Sequence, residues 1–308
     1  MNKFDIAGHR KIWFLLSLCV IIPGIILLAT RGLNFGIDFT GGSIIDLQFE
    51  QPVTIQQVRD SLTKYDLGGS TIQLEGASGT ATDASSSQNV MVRTVALEED
   101  QRMEIMDTLK ADCGDFQVLR QEKVGATIGG ELITNAILAL VVSWALIILY
   151  VAYRFEWRFG VAAVLALVHD ILVVLAVFAF TQRQVDSSFI AALLTIVGYS
   201  INDTIVIFDR IRENMRLHFR RGGDIDQLVN TSVYQTLTRS LYTVFTVLFT
   251  TAALFFFGGE TTKDFAFALL VGFGSGAYSS IFIASPIWIM LRKHSDDQHK
   301  APAKAAEA

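Results

Sequence analysis

Charge is what this chain has least of. Of its 308 residues only 18% are Asp, Glu, Lys or Arg, where a soluble globular chain carries about 25%. Cysteine is nearly absent too. Cys19 falls in an apolar run and Cys113 in a polar segment, so no disulfide is expected. The five histidines, His9, His169, His218, His294 and His299, are scattered without ligand spacing, so no metal site is expected. No G-x-x-x-x-G-K-[ST] stretch occurs, which argues against an ATP-driven role. No catalytic or cofactor-binding constellation is read, and the chain is not expected to be an enzyme.

Hydrophobicity takes the place of charge. The chain is 51% hydrophobic with a mean hydropathy of +0.43. The apolar residues gather in six runs of bilayer-spanning length, about 12–30, 132–153, 159–180, 188–208, 235–257 and 265–291. The first run, preceded by Lys3, Arg10 and Lys11, resembles a secretory leader. Its core is long, it lacks a clear small-residue cleavage site and Arg31 follows it, so a retained anchor is the better reading. Basic residues collect on one side of the runs: the amino terminus, Arg154 and Arg158, the cluster Arg210, Arg212, Arg216, Arg220 and Arg221, then Arg292 and Lys293. The short loops on the other side hold only Arg183 and Lys263. The positive-inside rule places both termini in the cytoplasm. The cluster at 210–221 reads as a topology signal touching lipid headgroups, not as a nucleic-acid patch.

The organisation that follows is a cytoplasmic amino terminus with span one (1–34), an outer soluble domain (35–124), spans two to six (125–293) and a disordered cytoplasmic tail (294–308). In the soluble domain "GSIIDLQFE" (42–50) alternates as a strand. Thr54 and Gln57 form a capping-box pattern opening the helix "IQQVRDSLTKY". "STIQLE" (70–75), "NVMVRTVAL" and "FQVLRQEKV" (116–124) read as further strands. "EEDQRMEIMDTLKAD" reads as a helix with Met103, Met106 and Leu109 on one face. The order βαββαβ is that of a ferredoxin-like α+β domain inserted into a membrane α-helical bundle. The Gly/Ser/Thr-rich stretch 76–88 is expected to be a mobile loop. Ile225, Leu228 and Val229 are expected to form an interfacial helix ahead of span five. "FGIDFTGG" (35–42) is Gly-rich, but its glycines precede a strand instead of a helix, so it reads as a turn and not a phosphate loop.

The polar residues inside the apolar runs carry the functional signal, because a carboxylate in lipid is costly and usually faces a protein interior or a water path. Asp170 lies in span three, Asp203 in span four and Arg239 in span five. At a helical rise of about 1.5 Å per residue, Asp203 sits about 9 Å inside Asp209. Arg239 sits one or two turns inside span five, so the two reach one level. One reading is a structural pair tying two helices. The other is a carboxylate whose proton a mobile arginine loads and releases. Ser200, Asn202, Gln235, Thr236, Thr238, Ser240 and Tyr199 are candidates to supply hydrogen bonds or hold relay waters. His169 beside Asp170 is a candidate proton shuttle or packing residue. Asp209, Arg210, Arg212 and Glu213 read as an interfacial ion cluster. Asp170 and Asp203 as an intramembrane protease dyad would need one height, and they are offset by about two turns.

Three signatures resemble those of the SecF family, the smaller membrane subunits of bacterial SecDF protein-export complexes. They are "FGIDFTGGSIIDLQF" (35–49), "VGYSINDTIVIFDRIREN" (197–214) and "QTLTRSLYT" (235–243), with "ALVHDI" (166–171) similar to the third-span pattern. The resemblance implies a partner, SecD, pairing as two six-span halves like those of resistance-nodulation-division transporters. It also implies work beside the SecYEG channel after SecA, with YajC and YidC as further partners. The proton-motive force, and no cofactor, would draw a preprotein out of the channel across the cytoplasmic (inner) membrane. Asp203 and Arg239 fall on the family's proton-transport positions, and residues 35–124 on its periplasmic domain. Half of a small-molecule exporter of the same superfamily is the alternative.

Overall fold

The computed structural model of the chain describes residues 5–75, 86–154, 156–218 and 223–293. It divides into two compact units, Phe35–Ala136 and Met1–Asn34 together with Ile137–Ala308. Most of the stretch 76–88, the arginines 220 and 221 and the tail 294–308 lie outside the described residues. Ser86, Ser87 and Gln88, expected in the loop, instead begin a strand.

Helix α1 (Arg10–Thr30) leads into the first of these units. There the chain runs through β1 (Gly42–Thr54), α2 (Ile55–Thr63), β2 (Thr71–Glu75), β3 (Ser86–Thr94), α3 (Glu99–Cys113) and β4 (Phe116–Val124). The sheet order is β2-β3-β1-β4 and every pair is antiparallel. Alternation along β1 and β3 sends Ile45, Leu47, Phe49, Val90 and Val92 to one face, where Val58, Leu62, Ile105 and Leu109 complete the core. Both bonds of the Thr54–Gln57 capping box form, which is why α2 starts where β1 ends. The face of α3 differs from expectation. Ile105, Met106 and Leu109 are buried, and Met103 is exposed. Ile105 precedes Met106 directly, and with Leu109 it sets the buried stripe one step round the helix.

The opposite sheet face buries a charge. Asp46 lies across from Met91 and Arg120, and its Oδ1 has no hydrogen-bond partner among the described residues. Burial pushes its carboxyl above the ordinary aspartate range; Arg120 pulls it back, Glu122 pushes it further and Arg93 again opposes. The folded unit therefore holds this proton more tightly than the unfolded chain. The resulting stabilisation is complete below the unfolded-state value and is lost as pH rises through the folded one. Asp46→Asn is expected to raise the thermal midpoint at neutral pH and to flatten its decline across the mildly acidic range. Thermal scans showing an unchanged midpoint and pH profile would contradict this.

The second unit is helical: α1, the later part of α4 (Ala126–Arg154), α5 (Trp157–Thr181), α6 (Ser187–His218), α7 (Ile225–Phe257) and α8 (Glu260–Ser279). Helix α8 passes through a π-helical turn, Ser280–Ala284, and continues to Lys293. Among the described residues, six helices are long and apolar enough to cross a membrane: Arg10–Thr30, Gly130–Val151, Trp157–Thr181, Ser187–Leu217, Ile225–Phe257 and Thr262–Lys293. The expected interfacial helix is absent as a separate element. Asp224 caps the backbone N–H groups of Asp226 and Gln227, nothing breaks the helix before Phe257, and Ile225 and Val229 join the core. Helices α5, α6 and α8 are the most buried, and at their core Phe159 stacks on Trp288 (4.7 Å between centroids) and meets Phe208. Close approach is bought with small residues: a Cβ on Gly24 of α1 would overlap Ala176 of α5, and one on Gly272 of α8 would overlap Ile196 of α6. The π turn has a local cause. Pro286 offers no N–H and its ring crowds the carbonyl of Phe282 four residues earlier, so the helix widens there.

Candidate functional site

Asp203 lies within α6 and is 8% exposed. Its Oδ1 accepts a hydrogen bond from Ser240 Oγ of α7 at 2.6 Å, and its Oδ2 is buried with no partner among the described residues. Tyr199, one turn earlier on α6, also buries a hydroxyl without a partner among the described residues. Ser240 is delivered by a stripe along α7, Val229, Ser232, Val233, Thr236, Ser240 and Val244, which faces the bundle while the rest of the helix stays open. Arg239 is next to Ser240 but on the open side. It is exposed and within electrostatic reach of Asp203, and the two form no ion pair. The structure thus brings Asp203 and Arg239 to one level without joining them. Among the described residues the arrangement is therefore a buried carboxylate with one oxygen bonded to a hydroxyl, the other without a partner, and a guanidinium on the neighbouring helix that forms no ion pair with it.

Asp170 occupies a second, separate site on α5 and is 1% exposed. Its Oδ2 accepts from Ser200 Oγ of α6 (2.7 Å) and Ser279 Oγ of α8 (2.8 Å), and its Oδ1 from Ser275 Oγ of α8 (2.7 Å). His169 Nδ1 stands 3.1 Å from Oδ1, and its Nε2 is 2.9 Å from Ser17 Oγ of α1. Four helices therefore converge on one residue pair. Ser200 belongs to this site, not to Asp203. The two carboxylates share no hydrogen-bond partner, which is not the arrangement of a protease dyad.

The other candidates lie elsewhere. Asn202 and Thr238 are exposed, and Thr236 bonds back to carbonyls of its own helix. Gln235 Oε1 accepts from Arg210 Nε (2.7 Å) and Asn214 Nδ2 (2.8 Å), further along α6. Arg210 also pairs with Glu213, and Arg212 donates to the carbonyl of Arg154. Residue-by-residue reading missed Ser17, Ser275, Ser279 and Tyr278. The signal available was the i, i+4 spacing of Ser275 and Ser279 beside Gly272 and Gly276, which marks a close polar seam in an apolar helix.

A polytopic membrane protein with a carboxylate buried between its spanning helices and one inserted α+β unit is the class this architecture defines. Comparison with known proteins narrows it. The model of the protein export membrane protein SecD/SecF, C-terminal, matches residues 104–294, and that of the SecD/SecF GG motif matches residues 26–53. The protein translocase subunit SecF of Acidaminococcus fermentans is 50% identical over 293 residues, covering 95% of this chain and 99% of its own. The SecF subunit of Vibrio alginolyticus is 43% identical over 91% of this chain and 87% of its own. The crystal structure of SecDF, a translocon-associated membrane protein from a Thermus species, superposes with a TM-score of 0.83 at 36% identity over 95% of this chain. SecDF in its super-membrane-facing form gives 0.71 at 36% identity. The chain spans 39% and 40% of those two SecDF chains. The chain belongs to the SecF family of protein translocase subunits.

Proposed function

We propose that this chain couples the proton-motive force to a late step of Sec-dependent protein translocation across the cytoplasmic membrane, with Asp203 as the proton-carrying carboxylate and Arg239 as its electrostatic control. The observation that carries the reading is the Asp203 Oδ2 atom, buried in a spanning helix without a partner among the described residues. A group that served only as a helix tie would have both oxygens engaged, as Asp170 does. The names of the relatives favour protein export over half of a small-molecule exporter.

A SecD-like second half is the proposed partner. Arg239 is exposed on a spanning helix, where contact with lipid would be costly, so another protein surface is expected to cover it. The same side of the unit offers Tyr242, Phe245 and Phe249 of α7, all exposed. SecYEG, the emerging preprotein, YajC and YidC follow from the family resemblance. We place the soluble unit in the periplasm as a ferredoxin-like domain. The β1-α2-β2-β3-α3-β4 order and the β2-β3-β1-β4 sheet support the fold, and the distribution of arginine and lysine supports the side.

The function is tested by preprotein release from membrane vesicles with and without a proton gradient. Release accelerated by the gradient only when this chain is present supports the proposal; gradient-independent release overturns it. The orientation has its own check. A cysteine at Ser86 (in a Cys113→Ser background) is expected to react with a membrane-impermeant maleimide in intact spheroplasts, and one at Leu217 only after permeabilisation. The reverse pattern would refute the topology.

A further inference from the structure

We propose that the cleft between the end of α4 and the last turns of α6 binds a zwitterionic phospholipid headgroup, a phosphodiester carrying a primary ammonium. The site goes beyond the proton-coupling reading and stands on different residues.

The cleft encloses about 390 Å³ and is lined by Arg154 of α4 and by Asp209, Arg212, Glu213, Arg216 and Leu217 of α6. The four charged α6 positions recur at i, i+3, i+4 and i+7, so one helix face carries them all. Arg212 Nη1 donates to the carbonyl oxygen of Arg154 at 3.2 Å, which draws the α6 side chain to the end of α4 and closes one wall. Glu213 is already paired: its Oε2 accepts from Arg210 Nη1, and Arg210 is anchored in turn on Gln235. Three guanidinium groups and one carboxylate then remain to face the cleft. Asp209 and Arg216 are exposed, and neither forms an ion pair or hydrogen bond among the described residues. None of the lining residues belongs to α7, so the cleft is separate from the α7 side offered to the partner.

The helices set the level of the cleft. The spanning part of α4 ends at Val151, and Arg154 follows within one turn. Tyr153 and Trp157 flank it, both exposed, and such side chains settle where hydrocarbon gives way to headgroups. The anion present at that depth is lipid phosphate. Arginine suits it, because the planar guanidinium offers two N–H groups to two phosphate oxygens. A headgroup with no positive charge would leave Asp209 beside a phosphate, like against like. An ethanolamine headgroup removes that conflict, because its ammonium sits two carbons from the phosphate ester oxygen. Asp209 lies one turn before Arg212, a step that sets Cβ atoms about 5–6 Å apart on a helix. The phosphodiester accepts from Arg154, Arg212 and Arg216, and the ammonium donates to Asp209. A choline headgroup carries the same charge but has no N–H to donate.

The experiment is native mass spectrometry of the full chain with its SecD-like partner, released from nanodiscs holding equal parts of phosphatidylethanolamine, phosphatidylcholine and phosphatidylglycerol. The complex is expected to retain the ethanolamine lipid above its share. Asp209→Asn should cut the preference for ethanolamine over choline about two- to fivefold, the size of one exposed ion pair. Arg216→Gln should lower retention of all three lipids. Both side chains are exposed, so neither change disturbs packing, and the amount of assembled complex checks this. Phosphatidylglycerol retained as well as phosphatidylethanolamine, or an unchanged preference in Asp209→Asn, reduces the cleft to a plain basic patch and overturns the proposal. Retention that neither substitution alters marks bulk lipid around the bundle and overturns it too. Displacement of the lipid by millimolar inorganic phosphate would show a free-anion site instead. Absence of retained lipid, with a cysteine at Leu217 shielded from maleimide only when the partner is present, would show a protein contact instead.

Discussion

Asp203→Asn is expected to leave assembly with the partner intact while preprotein release falls to the rate seen without a gradient. The amide keeps an oxygen for Ser240, so the loss in packing is that of one charge-assisted hydrogen bond made neutral, on the order of 1 kcal/mol. Had Arg239 been buried against Asp203, neutralising the aspartate would have orphaned a charge at a cost of about 3–5 kcal/mol. The structure removes that term, because Arg239 is exposed and forms no ion pair with Asp203. The two readings of Asp203 now separate cleanly. A proton carrier loses gradient dependence at normal assembly; a structural tie loses neither or loses both. Asp203→Glu should retain partial gradient dependence, since it still titrates. Arg239→Lys should be impaired despite its charge, because lysine lacks the planar fork. Paired measurements of assembled complex and gradient-stimulated release decide it, and normal assembly with normal stimulation in Asp203→Asn would sink the proton-carrier role.

Asp170→Ala is expected to be the most damaging single change in the helical unit. It removes the acceptor for Ser200, Ser275 and Ser279 at once and leaves His169 without its carboxylate. Interhelical hydrogen bonds within membranes are worth about 0.6 kcal/mol on average and up to about 1.7, so the three from Ser200, Ser275 and Ser279 together amount to about 2–5 kcal/mol. Ser279 recovers part of this through its bond to the carbonyl of Gly276. The amount of folded chain extracted in mild detergent, and its resistance to denaturing detergent, should both fall sharply. Asp170→Asn keeps one carbonyl acceptor and should fall between. An Asp170→Ala chain as resistant as the parent would show that the hub does not hold these helices together.

The two sites differ in how legible they were. Asp203, Asp170 and Arg239 stand out in the sequence because each is an ionisable residue in an apolar run, and the cost of burying charge applies wherever the run folds. Their partners were not legible. Ser200 is three residues from Asp203 yet points to Asp170, because α6 presents those two positions to different neighbours. Arg239 shares a level with Asp203 but not a face of α7, and the rise per residue reports level alone.

What the sequence by itself determined are properties that depend on a short window. The six spans follow from local hydropathy, the strands of the soluble unit from alternation, and the start of α2 from the Thr54–Gln57 pair. Tertiary structure decided what depends on helix rotation and on contacts between distant segments. Ser17 meets His169 across 152 positions and Ser279 meets Asp170 across 109. No local pattern encodes which of many buried hydroxyls will face a given carboxylate. That choice falls to the small residues that set how closely the helices approach, and to the packing that fixes their rotation.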